Sequence, residues 1–114
     1  LFEKSNQILR DFVYIDDVIQ ANIKACNTNK NGTYNVGTGI SRSFQDIADT
    51  LQIELGTNLK TEYFPNPFNG YQLNTQADIS LTKENILYEP SFSLEKGIQS
   101  YIPEIKRLYG EDIL

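Results

Sequence analysis

The fold class predicted by the sequence is α/β, with short strands alternating with about four helices, on three observations. A β-branched and aromatic run, Phe12-Val13-Tyr14-Ile15, ends in Asp16-Asp17 and passes at once into a segment of helical period. The same order returns at Thr33-Tyr34-Asn35-Val36, where Gly37-Thr38-Gly39 precedes a well-signalled helix. A last apolar set, Leu94, Ile98, Tyr101, Ile102 and Ile105, falls on one side of a 3.6-residue period. A strand that feeds a helix through a tight turn is the building unit of α/β folds.

In chain order, residues 1–9 read as a polar lead-in carrying Phe2, Lys4 and Ser5, followed by a strand over 12–15. The helix predicted over 17–27 places Val18, Ile19, Ile23 and Cys26 on one face, with Asn22 inside it. Asp16 or Asp17 is the expected cap, favoured at the positive helix end. The cluster Asn27-Thr28-Asn29-Lys30-Asn31-Gly32 ends that helix, and residues 33–36 form a second strand. Ser43 then caps a helix, with Asp46 as the capping-box acid, Phe44, Ile47, Ala48, Leu51 and Leu55 on one face, and Gly56 as its stop. A third, alternating strand is expected over 59–64. Pro65-Asn66-Pro67-Phe68-Asn69-Gly70 forces a rigid loop from which Tyr71 emerges. A short helix is predicted over 80–88, capped by Asp78 or Ser80 and broken by Glu89-Pro90. The last helix starts near Ser93, and Pro103 either kinks it or joins two helices.

Bulk properties bound the function. The formal charge of −5 argues against nucleic acid and anionic membranes as partners, since both favour basic proteins. No apolar run reaches membrane-spanning length. With no histidine and a single cysteine, a zinc site is not expected, and no loop has the ligand spacing of a magnesium or calcium site. Cys26, on an apolar helix face, is expected to be a buried, inert thiol. The absence of any methionine leads to the expectation that this is part of a longer chain.

Two features invite chemistry. Gly37-Thr38-Gly39 follows a strand and precedes a helix, but G-x-G-x-x-G fails at its third glycine, and a tight turn explains it better. Arg10 stands at the start of the strand over 12–15. It reads either as a phosphate clamp or as a surface arginine paired with Asp11 or another carboxylate.

Arg10-Asp11-Phe12-Val13-Tyr14-Ile15-Asp16-Asp17-Val18 resembles the segment that opens the substrate-side half of extended short-chain dehydrogenase/reductases acting on nucleotide sugars, the epimerase/dehydratase group. Phe2-Glu3-Lys4-Ser5, Tyr34-Asn35-Val36-Gly37-Thr38-Gly39 and Gly70-Tyr71-Gln72-Leu73-Asn74-Thr75-Gln76-Ala77-Asp78 narrow the resemblance to the ADP-glyceromanno-heptose 6-epimerase family. It implies a C-terminal portion of a Rossmann-type enzyme, with residues 1–114 as the substrate-binding part. The implied reaction interconverts ADP-D-glycero- and ADP-L-glycero-D-manno-heptose by transient oxidation at C6″, for lipopolysaccharide synthesis. The resemblance also implies an NADP cofactor held mainly by an upstream half, a homo-oligomeric parent and a cytoplasmic location.

That superfamily uses a tyrosine with a lysine four residues on. None of the seven tyrosines here has that lysine, so this chain alone is expected to be catalytically silent, with no catalytic, cofactor-binding or metal residues. The substrate contacts implied by the resemblance are Phe2, Glu3, Lys4, Ser5, Arg10 and Tyr71. Asn74, Gln76 and Asp78 are candidates to orient the Tyr71 loop, with a helix cap the alternative reading for Asp78. The family usually has a small residue where Lys4 stands, which leaves its backbone rather than its side chain as the expected contact. Another nucleotide-sugar epimerase or dehydratase, or a stand-alone ligand-binding domain, are the alternative readings.

Overall fold

A computed structural model describes residues 1–110. Four helices carry the architecture: α1 (Ile15–Cys26), α2 (Phe44–Leu55), α3 (Ser80–Ile86) and α4 (Leu94–Tyr109). Two short strands, β1 (Leu9–Arg10) and β2 (Arg42–Ser43), pair antiparallel with Leu9 opposite Ser43 and Arg10 opposite Arg42. Single parallel bridges join Phe2 to Phe64 and Leu9 to Asn74. The whole is a slab of 50 × 37 × 17 Å.

α2 is the element whose residues most fully dictate their own structure. The Ser43 hydroxyl accepts the Asp46 N–H at 3.0 Å, the Asp46 carboxylate accepts the Ser43 N–H at 2.9 Å, and Gly56 closes the helix at φ 68°. The Ser43 N–H holds the Asp46 carboxyl below its ordinary pKa. α4 starts as expected, with the Ser93 side chain accepting the Lys96 N–H at 3.1 Å, and runs on through Pro103 rather than dividing there.

Several expectations are corrected. The segments 12–15, 33–36 and 59–64 are not strands: among the described residues the first two have no pairing partner and the third has only the single Phe64 bridge to Phe2, and backbone without a ladder is not a sheet. α1 begins at Ile15, so Asp16 and Asp17 lie in its first turn instead of capping it. Asp17 turns inward, 1% exposed, and its carboxylate accepts the Ser91 and Phe92 N–H groups at 2.9 and 3.0 Å. α3 stops at Ile86 because Leu87 adopts φ 58°, before Glu89-Pro90 is reached. Neither Asp78 nor Ser80 is its cap residue, although Asp78 Oδ1 accepts the Ser80 N–H at 3.0 Å.

The face of α1 expected to be core is open. Asp17 and Ala21, one turn apart, point into the molecule, whereas Ile15, Ile19 and Ile23 form an exposed stripe at i, i+4 and i+8, and Cys26 is exposed rather than buried. The core on the inner side is Ala21, Ile79, Ile86 and Tyr88, flanked by Tyr34, Val36 and Ala77. The buried Tyr88 hydroxyl donates to the Gly37 carbonyl at 2.6 Å, and burial, reinforced by Asp17, Asp11 and Glu89, pushes its pKa up to about 12.

Gly37 is fixed by space. A Cβ there would lie 2.6 Å from Asp11 Oδ2 and 2.8 Å from the Ala77 Cβ. Gly37→Ala is therefore expected to cost about 1–3 kcal/mol, read by chemical denaturation, because neither neighbour can retreat without breaking its own contacts.

Candidate functional site

Arg10 and Asp11 are adjacent in extended backbone, so their side chains leave on opposite sides. This separates the pair that charge alone would join. The Asp11 carboxylate is taken up by the 37–39 turn and the strap after Gln76. Oδ1 accepts the Thr38 N–H and hydroxyl at 2.8 and 2.6 Å; Oδ2 accepts the N–H groups of Gly39 and Ala77 at 2.8 and 3.3 Å. The expected alternative of an Arg10–Asp11 ion pair is not formed.

Arg10 instead reaches toward the loop before Asn74. Its Nη1 donates to the Leu9 carbonyl at 2.7 Å and its Nη2 to the Gln72 carbonyl at 2.8 Å. The guanidinium carbon sits 5.1 Å from the Tyr71 ring centroid and 6.0 Å from that of Phe44, a cation held between two aromatic faces. No carboxylate lies within 4.0 Å of it among the described residues. Two neutral acceptors orient the fork, and its charge is left for an anion.

Beside this arginine is a pocket of about 210 Å³ lined by Phe2, Ser5, Ile8, Phe44, Phe64 and Tyr71. Phe2 is its floor, in edge-to-face contact with Phe64, Tyr71 and Phe68 at ring-centroid separations of 5.2, 5.5 and 6.2 Å. Ser5 is buried at 1% exposure, and its hydroxyl donates to Gln45 Oε1 at 3.2 Å, the same oxygen that accepts the Tyr63 hydroxyl at 2.5 Å. The structure thus brings Phe2, Ser5, Arg10 and Tyr71 together although they span seventy residues of sequence.

Glu3 and Lys4 are exposed and face an adjoining cleft, which shares Ser5 and is completed by Asn6, Gln45 and Tyr63. Lys4 adopts φ 59°, the left-handed region that β-carbon-bearing residues avoid and glycine enters without cost. The segment around Asn74 is tied down by the backbone on either side of it, the Leu73 carbonyl accepting the Leu9 N–H and the Thr75 N–H donating to the Leu9 carbonyl, and the Gln76 amide donates to the Gly39 carbonyl. Phe44, Gln45, Phe64 and Phe68 join the site without having been singled out. The aromatic density of residues 63–71 was the available signal, whereas Phe44 read simply as one more apolar residue on a helix face.

The 37–39 turn does not fit a dinucleotide pyrophosphate. The amides of Thr38 and Gly39 that would cradle it are engaged by Asp11, and the Gly37 carbonyl by Tyr88. Among the described residues no group of three or more His, Cys, Asp or Glu side chains could hold a metal ion, and no helix is long and apolar enough to cross a membrane.

A second apolar groove, of about 330 Å³, runs between residues 12–15, α2 and α4, with Tyr14 packed over Gly97 at its floor. It holds no charged side chain and lies apart from Arg10.

No family model matches the chain. It is similar to an ADP-L-glycero-D-manno-heptose-6-epimerase of Brachyspira hyodysenteriae, 36% identical over 96% of this chain and 36% of the relative. Among solved structures, ADP-L-glycero-D-manno-heptose-6-epimerase of Helicobacter pylori is 47% identical, with a TM-score of 0.82 over 91% of this chain and 32% of that one. UDP-glucose 4-epimerase of Thermotoga maritima, solved with UDP-glucose, is 29% identical with a TM-score of 0.85 over 95% of this chain and 34% of that one. The chain spans about a third of the length of the relatives it matches. The α/β class and the resemblance to heptose epimerases read from the sequence are both borne out.

Proposed function

We propose that this chain, similar over nearly its whole length to nucleotide-sugar epimerases of the extended short-chain dehydrogenase/reductase type, is the C-terminal, substrate-binding portion of an ADP-sugar 6-epimerase. The observation that carries the reading is Arg10: a guanidinium oriented by two backbone carbonyls, free of any carboxylate among the described residues, beside an aromatic pocket. A nucleoside diphosphate offers that site a pyrophosphate for the fork and a flat base for the rings. Phe2, Ser5 and Tyr71 line the pocket, and Glu3 and Lys4 form the outer wall of the adjoining cleft.

The reaction that fits is epimerisation of ADP-glycero-manno-heptose at C6″ by transient oxidation, in lipopolysaccharide synthesis. The NADP site and the tyrosine–lysine pair belong to the upstream half of the enzyme, and this chain's residues bind and orient the sugar nucleotide. The homo-oligomeric assembly and cytoplasmic location implied by the resemblance are part of the same proposal. Two observations support a piece made to be covered by more protein. The Ile15–Ile19–Ile23 stripe is about half exposed, at 57, 49 and 57%, and the segments 12–14 and 33–36 are extended without ladder partners among the described residues.

The test compares ADP, UDP and dTDP binding to the full-length protein carrying saturating NADP. ADP is expected to bind at least about tenfold more tightly than either pyrimidine nucleotide, the scale of one or two lost hydrogen bonds. Preference for UDP or dTDP would move the assignment to a 4-epimerase or 4,6-dehydratase, and failure to bind any of the three would end it.

A further inference from the structure

We propose that Phe68 is the stacking platform for the nucleobase, a role additional to the contacts of Phe2, Ser5, Arg10 and Tyr71; the inference rests on the ADP-sugar reading. Phe68 is 62% exposed, so packing of the chain does not account for its large apolar ring. It is the outermost ring of the aromatic cluster, touching Phe2 edge-on and lying within 24° of parallel to Tyr71, with centroids 6.3 Å apart. Phe2 is half-buried and is edged by Phe64, by Tyr71 and by Phe68 itself. Phe68 thus offers a base more open aromatic surface than the floor residue does.

The ring is presented on a stiff loop. Pro65 and Pro67 fix two backbone angles, the Phe68 N–H donates to Asn66 Oδ1 at 2.9 Å, and Gly70 turns the chain at φ 69°. Both ends are tied. The Phe64 carbonyl accepts the Glu3 N–H at 2.9 Å, the Leu73 carbonyl the Leu9 N–H at 2.7 Å, and the Gln72 carbonyl Arg10. An aromatic held this way loses little freedom when a ligand lands on it.

The order of groups matches a nucleotide. Tyr71 is the ring that both Arg10 and Phe68 approach, so cation, phenol and phenyl follow one another as phosphate, ribose and base do. Stacking tolerates any base, so this platform supplies affinity while discrimination between bases falls to polar groups.

Calorimetric titration with ADP and with inorganic pyrophosphate, on the full-length protein carrying saturating NADP, tests the idea. Phe68→Leu is expected to weaken ADP about tenfold and leave pyrophosphate unchanged, Phe68→Trp to keep wild-type ADP affinity or exceed it, and Arg10→Ala to weaken both. If Arg10→Ala weakens ADP but Phe68→Leu does not, the platform is wrong and the site reading stands. Equal loss of ADP and pyrophosphate in Phe68→Leu would make Phe68 a loop anchor and likewise overturn the platform. If wild type binds no ADP, or Arg10→Ala leaves ADP affinity unchanged, the site reading falls and the platform with it.

Discussion

Arg10→Ala lowers the affinity of the full-length protein for ADP-sugar by roughly 30- to 150-fold, the equivalent of about 2–3 kcal/mol for charge-assisted hydrogen bonds to phosphate. The expectation follows from how the guanidinium is held. Leu9 and Gln72 carbonyls take one N–H each from opposite Nη atoms, Tyr71 and Phe44 restrict its swing, and the remaining donors have no carboxylate within 4.0 Å among the described residues. Arg10→Lys keeps the charge and loses the planar fork, so it should recover only part of the affinity. The loss in Arg10→Ala should shrink as salt rises, since this site is only half-buried. An Arg10→Lys variant binding as tightly as wild type would show that charge alone, not the fork, meets the ligand.

Asp11→Ala is the most destabilising single change expected, at about 3 kcal/mol in chemical denaturation. Its carboxylate gathers four donors from Thr38, Gly39 and Ala77, and alanine leaves their N–H groups facing a void lined by Gly37 and Ala77. Asp11→Asn should recover only part of this, because its amide NH₂ must face either the Thr38 pair or the Gly39 and Ala77 N–H groups. The consequence reaches the binding site indirectly. Asp11 holds the strap at Ala77, and that strap continues upstream into Thr75, Asn74 and the Gln72 carbonyl that orients Arg10. A drop of less than about 0.5 kcal/mol would mean that water replaces the carboxylate at little cost.

The parts of the fold that sequence revealed are those decided within a few residues. Ser43, Asp46 and Gly56 write the beginning and end of α2 locally, and Ser93 does the same for the start of α4. Local rules misjudged the places decided at long range. Asp17 reads as a cap, yet its partners are Ser91 and Phe92, more than seventy residues on. Leu87 in a left-handed conformation ends α3, and no residue type announces that. The β-branched runs at 12–15 and 33–36 have strand composition, but a ladder needs neighbours that the described residues do not supply.

For the site, Arg10 and Tyr71 were named through their motifs, while the reason they meet, Arg10 donating to the Gln72 carbonyl, is a contact across 62 positions. The rival pairing of Arg10 with Asp11 fails on a simple rule: neighbours in extended backbone point apart. Phe44 and Gln45 could not have been assigned from spacing, because their place in the site depends on the start of α2 lying against the turn at Ser5–Gln7.

The most direct test of the account is a crystal structure of the full-length protein with ADP-sugar bound. The account predicts pyrophosphate oxygens within hydrogen-bonding distance, about 2.7–2.9 Å, of the Arg10 guanidinium, with the Phe2, Ser5 and Tyr71 side chains against the nucleotide. A nucleotide bound away from this pocket, with Arg10 contacting only the Leu9 and Gln72 carbonyls, would contradict it.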